Sequence, residues 1–352
     1  MPLPSHRSWL APLLLLLMLA APARAQERPT EDDEEAGSGQ TETDKEGLYD
    51  ELVAQFQRDY LRFTALIQVV PQLILEDTEA VQSGFSIAAA RFGIAGLLDG
   101  GFGYRIQAEF ARSPALLDAY VSYRPNEATR ILVGRHKVPF SYEFLTSAAG
   151  IDFVNRSRVV RALAPGRGVG GSMRTQVAGE ALTLRAGLFN ASFNTTVDGR
   201  TVRQAQRGGF TFVGRAQSTT QPSSGTTLIV GANVAYDTPD TAKALDVPGR
   251  LLLGADVRLR AGPFLLAAEG IAERVGDDVF PDSDGFYLTG GVDLNANNRL
   301  LVRFDRFEGS DEVLLGYNLT LTRAAAFQAN VVLPLDDAAE PTQALLNVQL
   351  GF

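Results

Sequence analysis

The chain has 352 residues, of which 45% are hydrophobic, and it contains 34 glycines and no cysteine. The absence of cysteine excludes a disulfide framework and thiol chemistry. The formal net charge is −9, but nine acidic and only two basic residues lie in residues 26–47, so the acidity belongs mainly to one short segment. For a chain with this charge we expect no nucleic-acid partner.

The first 25 residues have the features of a secretory signal peptide. A basic start at Arg7 precedes an apolar run over Leu10–Ala21, and a small-x-small cleavage sequence follows at Ala23–Ala25. The apolar run is shorter than the ~20 residues that a transmembrane helix needs. We therefore predict that residues 1–25 are cleaved and that Gln26 is the first mature residue.

Two further segments precede the main domain. Residues 26–47 are acidic and poor in apolar residues, so we predict a disordered leader that cannot bury enough surface to fold. In residues 48–60, Leu48, Leu52 and Phe56 follow helical spacing. We predict a short periplasmic helix or turn there, packed at the rim of a barrel or against a neighbouring chain.

From residue 61 to the C-terminus, apolar and polar residues alternate. At the start of this region, Leu61, Phe63 and Ala65 alternate with Arg62 and Thr64. Successive side chains of a strand point to opposite faces, so each such segment is predicted to be a strand with one apolar and one polar face. About sixteen segments of this kind lie near 61–75, 85–97, 102–112, 115–124, 129–140, 168–178, 181–191, 209–217, 226–237, 250–261, 263–274, 285–295, 298–308, 312–323, 325–335 and 344–352.

The lengths of these segments and of their connectors indicate a membrane barrel. Most segments have roughly 10–12 residues, the length that a tilted strand needs to cross a bilayer. The connectors mostly alternate between short and long, like the periplasmic turns and external loops of outer-membrane barrels. A soluble sandwich or propeller also has regular turns, but its polar face would surround a dry core. We predict that residues 61–352 form an all-β, transmembrane antiparallel β-barrel of about 16 strands in the outer membrane.

The longest connection, residues 141–167, has neither strand alternation nor a clear helical stripe. A connection of this length inside a compact domain is usually functional or disordered. It holds apolar anchors such as Phe153, and four arginines against Glu143 and Asp152. We expect it to fold into the barrel and form a constriction, where charged rings set ion selectivity. The predicted constriction and anion-binding residues are Arg135, Lys137, Arg156, Arg158, Arg161 and Arg167.

The strand that precedes this connection has an ambiguous alternation. Either Arg135 and Lys137 face the lumen, or Gly134 and His136 do. A cation that faces lipid at mid-depth costs ~2–4 kcal/mol. We therefore expect Arg135 and Lys137 inside the barrel or, because they lie at the end of the strand, only at the interface.

The polar faces of the strands carry nearly balanced charges. We expect most of these residues to form cross-strand ion pairs along a water-filled wall, and we single out Arg105, Arg258, Arg260 and Arg303 as lumen-wall residues. The full set of inward candidates is Arg62, Arg105, Arg124, Arg174, Arg185, Arg215, Arg250, Arg258, Arg260 and Arg303, against Glu109, Asp118, Asp237, Asp256, Glu269, Glu273, Asp293 and Asp305.

The sequence lacks the residue clusters of an enzyme. A Ser-His-Asp hydrolase needs a histidine as general base, and the only histidine after residue 25 is His136, between Arg135 and Lys137. No His, Cys and Asp cluster has zinc spacing. The run GRGVGG at 166–171 lacks the Lys-Ser/Thr of a phosphate-binding loop. We predict no enzymatic activity, no metal and no cofactor.

Several segments, in their order, resemble the phosphate-selective porin O and P family. They are GFSIAAARFGIAG, YRIQAEFA, LLDAYVSYRP, ILVGRHKVPFSYEFLTS, DFVNRS, ALAPGRGVG and LRAGLFN, of which VGRHKVPFSYEFLTS and APGRGVG are the most specific. The resemblance is detailed from Phe85 to Asn190 and continues in segment order to Phe352. It implies a sixteen-stranded, trimeric, anion-favouring porin. A closing strand that ends on Phe352 also resembles the substrates of the barrel-assembly machinery, which implies that machinery as a partner and Phe352 as its signal.

Three functions are compatible with these observations. We favour an outer-membrane porin, surrounded by membrane lipids, that allows passive diffusion of small hydrophilic solutes with a mild preference for anions such as phosphate. The second is a porin specific for phosphate or polyphosphate. The third is a structural or adhesion barrel that the 141–167 connection plugs. Single-channel recordings distinguish the three functions. A general porin carries a current without strong selectivity, a phosphate-specific porin carries a current that low phosphate blocks, and a plugged barrel carries no current.

Overall fold

The computed structural model describes residues 59–76, 79–111, 115–178, 181–191, 194–197, 200–203, 209–239, 249–276, 282–336 and 341–352. The predicted signal peptide, the predicted leader and all but two residues of the predicted 48–60 helix or turn lie outside these ranges.

Sixteen antiparallel strands form a closed barrel, as predicted. The last strand pairs with the first, from Leu66 opposite Gly351 to Leu75 opposite Thr342. A two-stranded ribbon, β8 and β9, stands apart from the barrel order between β7 and β10. The strands are β1 (Arg62–Glu76), β2 (Glu79–Leu97), β3 (Phe102–Glu109), β4 (Ala115–Asn126), β5 (Thr129–Lys137), β6 (Arg167–Val177), β7 (Leu182–Asn190), β8 (Asn194–Val197), β9 (Arg200–Arg203), β10 (Phe210–Ser223), β11 (Thr226–Asp237), β12 (Arg250–Ala261), β13 (Phe264–Val275), β14 (Asp284–Asp293), β15 (Asn298–Phe307), β16 (Ser310–Thr320), β17 (Ala325–Pro334) and β18 (Thr342–Gly351).

The two faces of the barrel wall differ sharply in polarity. On one face, apolar side chains such as Val133 and Phe264 are 62% and 63% exposed. On the other, polar side chains such as Arg303, Glu269 and Thr289 are buried. A soluble sandwich would bury its apolar face, whereas a membrane barrel presents that face to lipid. We call these the outer face and the polar face.

The first hairpin differs from the sequence-based expectation. We expected a long connector at 77–84, but β2 already begins at Glu79, and Ile74 and Leu75 of β1 pair with Gln82 and Ala80. Pairing with β1 holds these residues in an extended conformation that their polar, glycine-containing sequence does not itself favour.

Two short helices interrupt the connection between β5 and β6. They are α1 (Tyr142–Leu145) and α2 (Arg158–Leu163). The Ser157 side chain caps α2 by accepting a hydrogen bond from Val160 N, the usual role of serine at this position. No helical stripe is visible in the sequence here, because each helix has fewer than two turns. No helix in the described ranges is long and apolar enough to cross a membrane.

Phe352 completes the seam between β1 and β18. Ala65 N donates to Phe352 O at 2.9 Å, and Phe352 N donates to Ala65 O at 3.1 Å. The Phe352 ring is 53% exposed. Its role as an assembly signal stays a prediction.

Candidate functional site

The connection between β5 and β6, residues 138–166, is hydrogen-bonded to side chains on the polar face of many strands. We call it the β5–β6 segment. Three of its backbone N–H groups donate to wall side chains: Ser141 N to Asn233 Oδ1 at 3.1 Å, Glu143 N to Glu269 Oε2 at 3.2 Å and Val154 N to Asn330 Oδ1 at 2.7 Å. Three of its backbone carbonyls accept from wall side chains: Ile151 O from Gln328 Nε2 at 2.9 Å, Asp152 O from Asn318 Nδ2 at 2.8 Å and Ala148 O from Gln68 Nε2 at 3.3 Å. Polar wall side chains thus replace the strand ladder that this segment lacks.

Two phenylalanines anchor the β5–β6 segment against glycines of the wall. Phe140 and Phe153 are completely buried. A Cβ atom on Gly254 would lie 3.2 Å from Phe140 Cζ, and one on Gly316 would lie 2.9 Å from Phe153 Cε1. The guanidinium of Arg303 lies 4.4 Å from the ring centroid of Phe153. Because protein interiors are close-packed, these glycines provide the space that the two rings fill.

A buried ion pair joins α1 to the wall. Glu143 Oε1 lies 2.6 Å from Arg303 Nη2, and the two side chains are 7% and 1% exposed. The other carboxylate oxygen of Glu143 accepts a hydrogen bond from Ser157 N at 2.8 Å. Glu143 therefore holds together α1, the start of α2 and β15.

Asp152 forms a second ionic link between the β5–β6 segment and the wall. Its Oδ2 lies 2.8 Å from Arg258 Nη1, and its Oδ1 lies 3.6 Å from Arg299 Nη1. Burial alone would raise the pKa of Asp152, but the charges of Arg258 and Arg299 outweigh burial and lower the pKa to about 2. Asp152 is therefore ionised at neutral pH.

Four arginines form one row across adjacent strands. Arg130 of β5 stands opposite Arg174 of β6, Arg174 opposite Arg185 of β7, and Arg185 opposite Arg215 of β10. Asp256 neutralises Arg215 at 2.5 Å. Arg174 has no ion pair with any residue in the described ranges. Alternation within each strand placed Arg174, Arg185 and Arg215 on the polar face, but their row depends on the register between strands.

A cavity of about 850 Å³ lies between the β5–β6 segment and the wall. Each acid in its lining is ion-paired with an arginine: Glu143 with Arg303, Asp152 with Arg258, and Asp293 with Arg260. The charged residues of the lining are Arg174, Arg185, Arg258, Arg260 and Arg299 against Glu143, Asp152 and Asp293. Five arginines against three acids give the cavity an excess of positive charge.

A narrow second cavity of about 60 Å³ adjoins the first. The two share Leu145, Arg174 and Arg185 as lining residues. The charged and titratable residues of the narrow cavity are Arg105, Asp118, Arg130, His136, Lys137, Arg174 and Arg185. Arg174 and Arg185 thus stand where the wide and narrow cavities meet. No group of three or more His, Cys, Asp or Glu side chains in the described ranges is arranged to hold a metal ion.

Comparison with protein families identifies this barrel. The family model for phosphate-selective porin O and P matches residues 72–277, more than half of the chain. The chain belongs to this family. It is therefore an outer-membrane porin, and family and fold together point to a channel rather than an enzyme. A comparison with curated proteins gave no match.

Solved structures with the same fold include several porins. The anion-selective porin from Comamonas acidovorans has a TM-score of 0.63 and 16% identity, over 83% of this chain and 99% of that one. Salmonella typhi OmpF in complex with daunomycin has a TM-score of 0.59 and 11% identity, over 83% and 97%. The trimer form of OmpT from Vibrio cholerae has a TM-score of 0.53 and 10% identity, over 83% and 99%. At these identities the likeness establishes the fold alone.

Two of the predicted constriction cations bind backbone carbonyls of the porin. Lys137 Nζ donates to Leu145 O and to Thr146 O, at 3.1 Å each. Arg156 Nη2 donates to Thr146 O at 2.6 Å. Both cations lie over the ring of Phe144, at 5.3 Å and 5.9 Å from its centroid. They stabilise the C-terminal end of α1.

The other three predicted cations of the connection have different surroundings. Arg158 N donates to Asp305 Oδ2 at 2.9 Å, and Arg158 Nη2 donates to Asp305 O at 3.0 Å. Arg167 forms an ion pair with Asp118 at 2.8 Å. Arg161, in α2, is exposed. The contribution of these arginines to ion selectivity stays a prediction.

Arg135 lies on the outer face, not in the lumen as expected from the sequence. It shares that face with Val133 and its cross-strand neighbour Val169, which are 62% and 48% exposed, whereas the next residue, His136, is buried on the polar face. Arg135 Nε donates to Leu116 O at 2.8 Å. Arg135 is close to the end of β5, and near an interface the cost of a cation that faces lipid falls to ~0–1 kcal/mol, below the ~2–4 kcal/mol at mid-depth that favoured the lumen.

The four predicted lumen-wall arginines all lie on the polar face, each within ion-pair distance of a carboxylate. These pairs are Arg105 with Asp118 at 3.7 Å, Arg258 with Asp152 at 2.8 Å, Arg260 with Asp293 at 2.7 Å and Arg303 with Glu143 at 2.6 Å. Two of these carboxylates, Glu143 and Asp152, belong to the β5–β6 segment, so half of the pairs join the segment to the wall rather than strand to strand.

Proposed function

We propose that this porin allows passive diffusion of small hydrophilic solutes with a preference for anions, and that the β5–β6 segment folds into the barrel and narrows the pore. One observation carries the anion preference: Arg174 and Arg185, on neighbouring strands, line both cavities at their junction. The hydrogen bonds between the segment and the polar face support the narrowing.

Electrostatics favours anions at this junction. Low-dielectric walls focus the field of a charge cluster, which raises the local concentration of counter-ions. Guanidinium groups also offer a planar fork of donors that matches oxyanions. The three acids of the wide cavity each lie 2.6–2.8 Å from an arginine, so they attract cations only weakly. On this proposal the wall arginines set selectivity, and most arginines of the segment fix its position.

The test is the reversal potential of purified protein in a lipid bilayer under a salt gradient. We expect Arg174→Gln and Arg185→Gln each to shift the potential toward cations, and the double variant to shift it further. The shift should be largest at low salt, because the Debye length grows from about 10 Å at 0.1 M to about 30 Å at 0.01 M. Arg274→Gln is the matched control, since Arg274 is 53% exposed and pairs with Asp282 at the rim. Equal potentials for all variants would overturn the proposal.

A second candidate function, a phosphate-specific channel, draws support from the arginine row and from the family description. Adjacent guanidinium groups can bind a tetrahedral oxyanion through several charge-assisted hydrogen bonds. Low concentrations of phosphate should then block the chloride current, and Arg174→Gln should relieve the block. A plugged barrel would carry no current, and the 850 Å³ cavity argues against it.

We also propose that the porin loses residues 1–25 on export, that the barrel-assembly machinery reads Phe352, and that the porin assembles as a homotrimer. The signal-like sequence and the position of Phe352 at the barrel seam support the first two. For the third, OmpT, which shares the fold, is described in a trimer form.

A further inference from the structure

The junction between the wide and narrow cavities has two chemically different sides. The cavities share three lining residues, of which Arg174 and Arg185 belong to the wall and Leu145 belongs to α1. Arg174 stands opposite Arg185 in the pairing of β6 with β7. A solute that passes from one cavity to the other therefore meets two guanidinium groups and one leucine.

Leu145 offers this solute an apolar surface, because its backbone polar groups are already used. Its N–H donates to Ser141 O at 3.2 Å, and its carbonyl accepts from Lys137 Nζ at 3.1 Å. Leu145 is nevertheless only half-buried, and it lines both cavities. What it contributes to the junction is therefore mainly its hydrocarbon side chain.

Tyr142 enlarges this apolar surface. It lies three positions before Leu145, so the two residues are neighbours on one side of α1. Tyr142 also lines the wide cavity, where Arg258 Cζ lies 5.7 Å from its ring centroid. Lys137 and Arg156 bind carbonyls at the end of α1 and hold this helix in place. The apolar surface is therefore fixed relative to the wall arginines.

The two sides of the junction match a solute that itself has a charged and an apolar part. A carboxylate accepts hydrogen bonds from the forked donors of a guanidinium group. An apolar body gains free energy when it leaves water for a surface such as the Leu145 side chain. Chloride and phosphate have no apolar part, so contact with leucine contributes nothing to their passage.

We propose that the junction favours amphipathic organic monocarboxylates, such as benzoate, and that Leu145 is the residue that determines this preference. Arg174 and Arg185 bind the carboxylate, while Leu145 and Tyr142 contact the apolar body. The inference rests on the anion preference proposed above and names a solute class within it. In a purely electrostatic filter, by contrast, only the charge and the size of the solute would decide its rate.

The test compares benzoate with acetate, two carboxylates that differ in their apolar part. Purified porin in a lipid bilayer separates sodium benzoate from sodium acetate at neutral pH, and the reversal potential gives the ratio of their permeabilities. We expect the wild-type ratio of benzoate to acetate to exceed the ratio of their mobilities in water. Leu145→Ser should lower the permeability ratio by about fourfold, the effect of one methylene-sized apolar contact, and Leu145→Met should preserve it.

Ile229→Thr is the matched control. Ile229 is half-buried, and in the described part of the chain it lines the wide cavity but not the narrow one. The substitution thus removes an apolar group from the lumen and leaves the junction unchanged, so we expect the permeability ratio to stay the same. Leu145→Ser should also keep the wild-type reversal potential in a KCl gradient, because Leu145 carries no charge.

Three results would contradict the role of Leu145. They are a wild-type permeability ratio at or below the mobility ratio, an equal loss in Ile229→Thr, and an unchanged ratio in Leu145→Ser with larger currents of both anions, which would make Leu145 a steric narrowing only. If the Leu145→Ser barrel does not fold, Leu145→Ala takes its place. A wild type without anion preference in KCl would overturn the proposed function itself, so the two failures are distinguishable.

Discussion

Arg303 of β15 and Glu143 of α1 form an ion pair at 2.6 Å, although 160 positions separate them in the sequence. Arg303 also lies between the rings of Phe153 and Tyr287, 4.4 Å and 4.5 Å from their centroids. One wall arginine therefore contacts two residues of the β5–β6 segment, the acidic Glu143 and the aromatic Phe153. It also contacts Tyr287 of the wall. Its surroundings indicate a positioning role in addition to any direct contact with solutes.

Removing one partner of this pair should destabilise the barrel and release the β5–β6 segment. We expect Glu143→Gln to lower the free energy of unfolding by about 3–5 kcal/mol, because Arg303 would keep a buried charge without a counter-ion. Single-channel recordings should show more frequent current fluctuations. Arg306→Gln is the control, since Arg306 is 48% exposed and solvent screens its pair with Asp311. Equal losses in the two variants would contradict the positioning role.

Filling the space at Gly316 should displace Phe153. A Cβ there would lie 2.9 Å from Phe153 Cε1, so we expect Gly316→Ala to cost about 1–3 kcal/mol by overpacking and to change the conductance. At Gly290, a Cβ would lie 3.7 Å from Val302 Cγ1, an ordinary contact, so Gly290→Ala should have little effect. Adding Phe153→Leu to Gly316→Ala should recover part of the stability. Thermal unfolding and single-channel conductance check both expectations.

Two arginines of α2 allow structural and electrostatic roles to be separated. The Arg158 side chain donates from Nη2 to Asp305 O at 3.0 Å and to Ser310 O at 2.7 Å, whereas Arg161 is exposed. Arg158→Gln should therefore cost about 1.5–3 kcal/mol of stability, and Arg161→Gln less than ~0.5 kcal/mol. Both variants lose one positive charge. If arginines of the segment set selectivity, both should shift the reversal potential; on our proposal neither shift should approach that of Arg174→Gln.

The Asp152–Arg258 ion pair should make stability depend on pH in the acid range. The pKa of Asp152 is about 2 in the folded barrel, below its ordinary 3.8. A depressed pKa contributes stability above about pH 4, and this contribution disappears as the pH falls to about 2. At neutral pH it amounts to roughly 2 kcal/mol. Thermal unfolding should show Asp152→Asn less stable than the wild type at pH 7 and nearly equal to it at pH 2. A constant difference would contradict the assignment.

Deletion of Phe352 should impair barrel assembly. Phe352 forms two hydrogen bonds with Ala65 at the seam, and its ring faces outward. We expect a lower yield of heat-modifiable barrel with normal removal of the proposed signal peptide. Phe264→Ala, which removes another exposed aromatic ring, should leave the yield unchanged. A normal yield from the deletion would remove Phe352 as an assembly signal.

Some features of this porin could be read from the sequence because they repeat within single strands. Alternation gave the sixteen strands and the polar face, and it placed Arg258 and Arg303 on that face. The row through Arg174 and Arg185 could not be predicted. It depends on the register between two strands, and the residue pattern within either strand does not specify that register. Arg135 was misplaced because depth in the membrane, which sets the cost of its charge, is a property of the whole barrel.

The reach of the β5–β6 segment constrains the order of folding. Its residues contact side chains of strands that follow it in the chain, up to the bond from Gln349 Nε2 to Ala149 O, 200 positions away. Closing such long loops is entropically costly, so contacts of this separation form late. The segment cannot acquire all its contacts before the last strand has been synthesised and placed. We expect a chain without β18 to have an incomplete wall and an unsupported β5–β6 segment, so the permeability of the channel depends on a strand that lies far from this segment in the sequence.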